Sequence, residues 1–286
     1  MRDERVAVSS QRGACAIDPE ALQRKLDRVI ETLRGCRRVL VAFSGGVDST
    51  LLATLCRDAL GKANALAVTA DSASLAREDL EEARRLAARL DLEHLVVPTR
   101  EVEDAVYRAN TEARCYVCKH ELFRELEALA QARHIPVILY GAIGDDQLAE
   151  RPGQRAAVER GVRAPLQEAG LSKAEVRALA KSLGLPNWVR PQNACLSSRI
   201  PFGEPVTPER LSRIERAEHL VKTEGFRLVR VRSMGSRARI EVGADEVPRL
   251  ADAALRARLM DEVRGCGFDA VEFDPKGYRS VDALPA

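Results

Sequence analysis

Charge of one sign is what this chain most plainly lacks. Its 286 residues carry 45 Lys and Arg against 43 Asp and Glu, a net charge of +2. No global basic field is available to hold a polyanion, so a nucleic-acid partner is not expected. No apolar run approaches the roughly 18 residues of a membrane span. The N-terminus is polar and charged, without the apolar core of a signal peptide, so a soluble, cytoplasmic protein is expected. The four histidines, His94, His120, His134 and His219, are scattered along the chain, which argues against a histidine metal centre. Internal repeats and low-complexity tracts are also missing. What is present is ample length for one large or two ordinary domains with an enzyme-sized core.

The most informative segment is Phe43-Ser44-Gly45-Gly46-Val47-Asp48-Ser49-Thr50, set between the apolar runs Arg38 to Ala42 and Leu51 to Leu55. Ser-Gly-Gly-Val-Asp-Ser between a strand and a helix is the phosphate loop of ATP pyrophosphatases. Paired glycines let the backbone turn tightly and bring its N–H groups near an anion. The positive end of the following helix dipole adds to that cradle. Ser44 and Ser49 can donate hydroxyls to phosphate, and Asp48 can hold a Mg²⁺ that bridges the leaving pyrophosphate. No Gly-Lys-Ser/Thr follows, so this is not a Walker loop. The implied chemistry is attack on the α-phosphate of ATP, giving an adenylate and pyrophosphate. An ordinary Gly-Gly turn capped by Asp48 or Ser49 is the alternative.

Residues Met1 to about Ile17 show no sustained period and read as a loose lead-in, taken as 1–20. Leu22, Leu26, Val29, Ile30 and Leu33 recur at helical spacing, so an amphipathic helix precedes the first strand. Strand-like runs at Val39–Phe43, Ala65–Thr69, Leu92–Val97 and Pro136–Tyr140 then alternate with helix-like segments at Leu51–Leu60, Ser74–Leu90 and Lys119–Arg133. This pattern predicts an α/β, doubly wound parallel-sheet domain of the PP-loop ATP pyrophosphatase (HUP-like) kind over 21–187. Its ligand crevice should lie at the C-terminal strand ends. The ATP site is accordingly expected to use Ala42, Ser44, Gly45, Gly46, Val47, Asp48, Ser49, Thr69, Asp71, Ser72 and Gly141. For Asp71-Ser72 an Asx turn competes with a ribose or adenine contact. Asp145 and Asp146 read equally as a helix N-cap pair or as Mg²⁺ ligands. Ser172–Leu183 reads as a further helix, Ser172 capping it and Glu175 completing a capping box.

From Pro186 to Pro208 the chain carries five prolines and little period, which marks a functional connector (188–206) rather than a core element. Beyond it, over 207–286, a helix at Pro208–Glu224, strands near Arg227–Ser233 and Ser236–Val242, helical segments and a strand at Ala270–Phe273 predict a smaller α+β domain.

Seven cysteines are an odd number at irregular spacings, which suits thiol or metal chemistry better than a disulfide framework. Cys115-Tyr116-Val117-Cys118-Lys119 stands just before a helix, and Cys195 stands in the connector. Half of a zinc site, with His120 or His134 as a further ligand, or a redox pair, would account for the CxxC alone. Three cysteines at the mouth of an ATP site point instead to an iron–sulfur cluster with one open iron able to hold an extra sulfide. Cys15, Cys36, Cys56 and Cys266 have no motif around them and read as small buried apolar residues.

Taken together, Ser44 to Ser49, Arg114-Cys115-Tyr116 with Cys118-Lys119, Arg151-Pro152-Gly153, Ala164-Pro165-Leu166 and Ala194-Cys195-Leu196-Ser197-Ser198-Arg199-Ile200-Pro201-Phe202-Gly203 resemble the LarE family. The resemblance runs from about Leu26 to about Phe273, and the last motif is the most selective. It implies an ATP-dependent sulfur transferase that adenylylates a carboxylate of a pyridinium carboxylate mononucleotide and replaces an oxygen with sulfur, in nickel-pincer nucleotide synthesis. Some members sacrifice one cysteine, leaving dehydroalanine; others hold a [4Fe-4S] cluster on three cysteines. Cys115, Cys118 and Cys195 make this sequence resemble the second kind, with Asp48 and Cys195 as its catalytic residues. A sulfide or sulfur-donor partner and a homo-oligomeric assembly are expected with it. Gly141-Ala142-Ile143-Gly144 and Trp188-Val189-Arg190-Pro191 depart from the family's more usual Gly-Thr-Asn-Ala and Trp-Asp-Lys-Pro, changes that bear on the acceptor rather than the chemistry.

Arg230 and Arg232, two apart in a strand, project to one face, with Val229 and Val231 on the other. Arg237 and Arg239 repeat the pattern opposite Ala238 and Ile240. A solvated face paired to Glu241 accounts for Arg237. For Arg230 and Arg232 the resemblance implies a clamp for the substrate phosphate, a task to which guanidinium forks are suited. Glu218 shares an apolar helix stripe with Leu211, Ile214 and Val221, where a carboxylate is costly without a partner. Either a bridge to an arginine or a substrate-site role explains it. Ser198 and Arg199 are expected to hold the same substrate, with a helix cap as the alternative for Ser198. Two further readings compete: a tRNA-thiolating enzyme, which would want a basic surface, and an amide-forming ATP pyrophosphatase using ammonia, which would leave the three cysteines without work.

Overall fold

The computed structural model describes residues 17–146 and 152–278. Arg151 of the Arg-Pro-Gly motif and Cys15 lie outside the described residues. The first helix, α1 (Pro19–Arg34), is capped by Asp18, whose side chain accepts the Glu20 N–H. Four parallel strands follow: β1 (Val39–Ala42), β2 (Ala65–Asp71), β3 (Glu93–Pro98) and β4 (Val137–Tyr140). Between and after them run α2 (Val47–Leu60), α3 (Arg77–Arg89), α4 (Ala105–Arg108), α5 (Arg114–Ala132), α6 (Pro152–Glu159), α7 (Pro165–Glu168) and α8 (Lys173–Ser182).

The sheet order is β3-β2-β1-β4, every pair parallel. Strand periodicity divides the core. Val39, Val41, Ala65 and Ala67 enter one buried cluster, with α2 and α8 residues such as Leu51, Leu52 and Val176. Leu40, Leu66 and Val68 enter the other, with Phe123 and Leu126 of α5. Because β1 hands the chain outward to β2 while β4 returns on its other side, the crevice of this doubly wound sheet falls between β1 and β4, at their C-terminal ends.

The capping box at α8 is present as read, Ser172 and Glu175 bonding reciprocally. Helix α5 begins earlier than expected, so Cys115 and Cys118 lie within its first five residues rather than before it. The connector is also more than a linker. Leu196, Ser197, Arg199 and Ile200 are buried, and Leu196 and Ile200 join the core of the second sheet. Apolar residues spaced too irregularly for a period still find a pocket there.

That second sheet contains β5 (Val229–Met234), β6 (Arg237–Val242) and β7 (Ala270–Phe273), packed with α9 (Pro208–Thr223) and α10 (Ala253–Gly265). Strands β5 and β6 are antiparallel, β6 and β7 parallel. Among the described residues no helix is long and apolar enough to cross a membrane.

Candidate active site

The phosphate loop joins β1 to α2 with Gly46 as N-cap. Gly45 takes φ +70°, and a Cβ there would stand 3.2 Å from the Ala83 Cα, so the turn needs glycine on both counts. Gly141, at the end of β4, comes so close that a Cβ would meet the Ser49 N at 2.8 Å. The loop's hydroxyls order one another: Ser49 Oγ donates to the Gly46 carbonyl at 3.1 Å, lies 3.1 Å from Ser44 Oγ, and accepts the Ser44 N–H at 3.2 Å. The amides of Val47, Asp48 and Ser49 open α2 and have no acceptor within the helix, the arrangement that receives an anion.

Two residues that sequence reasoning missed support this loop. Asn187 is buried, and its side-chain amide donates to the Gly45 carbonyl at 2.9 Å and to Thr50 Oγ1 at 3.0 Å. Its place beside the Trp188 motif was the available signal. Lys173, the first residue of α8, puts its ammonium 2.7 Å and 3.0 Å from the two carboxylate oxygens of Asp48. Burial holds the Asp48 carboxyl above the usual range, Lys173 opposes that rise, and Asp146 adds to it. Asp146 is therefore an electrostatic neighbour of Asp48. Asp145 is turned elsewhere, accepting the Lys173 N–H at 2.7 Å, so it serves the start of α8. The Asp146 carboxylate accepts the Ile143 N–H at 3.2 Å.

At the end of β2, Thr69 Oγ1 donates to the Phe43 carbonyl at 2.7 Å and lies 2.8 Å from His94 Nε2. One hydroxyl proton serves one acceptor, so Nε2 of His94 is the donor to Thr69. Burial, then Arg84, lowers the His94 pKa. Asp71 pairs with Arg77 at 2.5 Å, while Ser72 makes the local turn by accepting the Ser74 N–H. The turn weighed for Asp71 is thus made by its neighbour.

The connector is fastened to the segment that carries the CxxC pair. Tyr107 and Ser197 share a hydroxyl–hydroxyl bond of 2.7 Å. Asn110 donates to the Pro201 and Glu204 carbonyls at 2.7 and 2.9 Å, and Arg114 donates to the Ser197 carbonyl at 2.9 Å and to Asn110 Oδ1. The Leu196 N–H donates to the Ser74 carbonyl at 2.8 Å, tying the same connector to the end of β2. Cys115 and Cys195 are exposed; Cys118 is half-buried. Burial first, then Glu101 and Cys195, push the Cys118 thiol up to about 12. Cys195 and Cys118 also act on Tyr107 beneath them, whose phenol burial raises. Cys118 thus has both Cys195 and Cys115 as electrostatic neighbours. No three His, Cys, Asp or Glu side chains among the described residues come together as a metal ion's ligands would. The donor chemistry, three thiols with the His120 imidazole engaged by Arg160 at 2.8 Å, fits an iron–sulfur group. Cys36, Cys56 and Cys266 are buried, as read.

Glu218 and Arg199 find each other: Nε and NH2 of Arg199 meet the two carboxylate oxygens at 2.8 and 3.1 Å, both side chains buried. Arg199 also donates to the Ala194 and Cys195 carbonyls at 2.6 and 3.0 Å and to Ser198 Oγ at 3.0 Å. Ser198 caps nothing; Cys195 heads that short turn. Arg232, not Arg237, takes Glu241, at 3.0 Å, and donates to the Ser198 carbonyl. Arg237 pairs with Glu272 on the exposed face of β7. Arg237 and Glu241 lie on the same strand, β6, so no cross-strand pair joins them; Arg232 on β5 reaches Glu241 diagonally, two residues along from its direct partner Arg239. Beside this cluster a cleft of about 470 Å³ runs between α3 and α9, lined by Arg77, Leu196, Glu218, His219 and Lys222 among others.

A parallel sheet with a Ser-Gly-Gly-Val-Asp-Ser loop at its switch point defines an ATP-dependent enzyme of the ATP pyrophosphatase class. The NAD synthase family matches residues 20–144, the span of this loop and the four strands. Over nearly the whole chain the similarity lies elsewhere. A pyridinium-3,5-bisthiocarboxylic acid mononucleotide synthase of Lactiplantibacillus plantarum is 34% identical over 260 residues, 91% of this chain and 93% of that protein. An uncharacterized protein of Synechocystis sp. is 42% identical over 259 residues, 91% of this chain and 96% of its own. The B subunit of a GMP synthase of Halobacterium salinarum is 25% identical over 233 residues, 73% of this chain and 72% of that subunit. The chain belongs to the LarE family, that of the Lactiplantibacillus synthase.

Proposed function

We propose that this protein uses ATP to adenylylate a carboxylate of a pyridinium carboxylate mononucleotide, releasing pyrophosphate, and converts the adenylate to a thiocarboxylate with release of AMP. The likeness to the Lactiplantibacillus synthase supports this reading. The observation that carries it is the fastening of the Cys195 connector to both the Cys115–Cys118 turn and the end of β2, beside the ATP loop. An amide-forming enzyme would have no use for a cysteine-bearing connector fastened there.

In this reading the α2 amides, Ser44 and Ser49 bind the phosphates. Asp48, with Asp146, would hold Mg²⁺ in exchange for the Lys173 ammonium, and the ion would neutralise charge on the leaving pyrophosphate. Arg230 and Arg232 would bind the acceptor's phosphate. Arg199 and Glu218 neutralise each other, so their part is to hold the Cys195 turn in place through the Ala194 and Cys195 carbonyls. Cys115, Cys118 and Cys195 would hold a [4Fe-4S] cluster, which when bound supplies the sulfide. For that Cys118 must surrender the proton that burial retains at neutral pH.

The test is anaerobic incubation of the reconstituted protein with ATP, nicotinate mononucleotide and sulfide. AMP, pyrophosphate and an oxygen-to-sulfur mass increment on the acceptor support the proposal. ADP and phosphate, or thiolation of tRNA instead, contradict it.

A further inference from the structure

Three guanidinium groups meet near the Cys195 turn, but among the described residues only two carboxylates pair with them. Glu218 takes Arg199 and Glu241 takes Arg232. Arg230 is buried, pairs with no carboxylate among the described residues, and donates one N–H to the neighbouring Val229 carbonyl at 2.8 Å. Its other partner is an aromatic ring. The Arg230 guanidinium carbon lies 5.1 Å from the centroid of Tyr278, and that of Arg232 lies 5.9 Å from the same ring. A ring face attracts a cation most where water is scarce, and it leaves the guanidinium's in-plane N–H groups free to donate.

Tyr278 is set there by its backbone. Its N–H donates to the Val242 carbonyl at 2.7 Å and its carbonyl accepts the Ala244 N–H at 3.2 Å, docking it beside the end of β6. Val242 is the register partner of Val229 on β5, next to Arg230. The preceding Gly277 takes φ +64°, and a Cβ there would meet the Val242 carbonyl oxygen at 2.7 Å, so the approach is shaped for glycine.

We propose that Tyr278 is a positioning residue for recognition of the acceptor's phosphate: its ring is the platform that orients Arg230 toward the anion, while Glu241 and the Ser198 carbonyl hold Arg232 beside the same ring. This rests on the acceptor reading given above and adds a residue to it. The ring offsets a buried cation without consuming its hydrogen-bond donors, whereas a carboxylate at the same place would neutralise the cation and compete with the phosphate. The useful part of the side chain is therefore the ring face, and the hydroxyl is dispensable.

The experiment compares wild type, Tyr278→Phe and Tyr278→Ala by calorimetry with nicotinate mononucleotide, nicotinate riboside and ATP. Tyr278→Ala is expected to weaken the mononucleotide about tenfold, a loss in keeping with a partly desolvated cation–π contact. Tyr278→Phe should bind it as wild type does. The riboside, which lacks the phosphate, and ATP should bind all three proteins equally. Undiminished mononucleotide affinity in Tyr278→Ala would overturn the proposal, as would a loss in Tyr278→Phe equal to that in Tyr278→Ala. Should wild type bind ATP but not the mononucleotide, the acceptor reading fails by itself. Protection of Arg230 from phenylglyoxal by inorganic phosphate then judges the platform. Protection in wild type and Tyr278→Phe that is lost in Tyr278→Ala sustains it, and equal protection in all three overturns it.

Discussion

Lys173 and Asp48, separated by 125 positions in the chain, form a two-pronged ion pair of 2.7 and 3.0 Å in the phosphate loop. The carboxylate marked out as a Mg²⁺ ligand thus already has a cation, supplied by the first turn of α8. In the proposed site a divalent ion on Asp48 would repel the ammonium and weaken this pair.

Replacing Lys173 by Met takes from the Asp48 carboxylate, beside Asp146, the cation that bonds it directly and leaves it the field of Arg177. Both partners retain some exposure, at 16% and 24% of their side chains, so the loss should be about 1–3 kcal/mol, less than for a fully buried pair. Thermal unfolding should show the variant destabilised without Mg²⁺ and regaining more stability than wild type on Mg²⁺ addition. An equal Mg²⁺ response in both proteins would place the ion away from Asp48.

Asn187 braces the loop through Gly45 and Thr50. Asn187→Leu removes both donors from a buried site and leaves two acceptors unmet, costing about 1–3 kcal/mol. ATP affinity measured with a fluorescent analogue should fall by about tenfold while the acceptor still binds. Unaltered ATP binding would reduce Asn187 to a packing role.

The Arg199–Glu218 pair should behave as structure. Glu218→Gln strands a buried guanidinium and should destabilise by about 3–5 kcal/mol, whereas the double change Arg199→Met with Glu218→Leu should recover much of that. Denaturant titration separates the outcomes. A double variant as unstable as the single one would contradict the offsetting of one charge by the other.

With its thiol pushed up to about 12, Cys118 stays protonated at neutral pH. The sign is that of a raised acid: the stability it lends is present below the ordinary thiol value and lost as pH rises through about 12. Alkylation followed by peptide mass mapping should find Cys118 slower than Cys115 and Cys195 at pH 8. Its rate should climb about tenfold per pH unit toward that value. Equal rates for the three thiols at pH 8 would contradict the burial of Cys118.

Local signals made much of this fold legible. The glycine pair after an apolar run located the phosphate loop, and the Ser172–Glu175 spacing located the start of α8. Contacts that close only in three dimensions left weaker traces. Nothing in the segment around Lys173 says that its ammonium reaches Asp48. Glu218 stood out as a carboxylate on an apolar stripe, yet its partner Arg199 lay in a connector with no period to read. Which arginine would take Glu241 depended on the hairpin register at Gly235-Ser236, where Gly235 has φ +58°, and on a diagonal reach: Glu241 stands opposite Arg230 but bonds Arg232. Tyr278 carried no signal, because its value lies in what stacks on it.

In the proposed reaction three thiols serve one renewable sulfur transfer, and intact-mass measurement after multiple turnovers is its sharpest test. With excess ATP, acceptor and sulfide under anaerobic conditions, thiocarboxylate should form in excess over enzyme and the polypeptide should keep its mass. Cys115→Ala, Cys118→Ala and Cys195→Ala should each form the adenylate and transfer no sulfur. A single turnover that leaves the polypeptide lighter by one H₂S, as dehydroalanine at position 195, would contradict it.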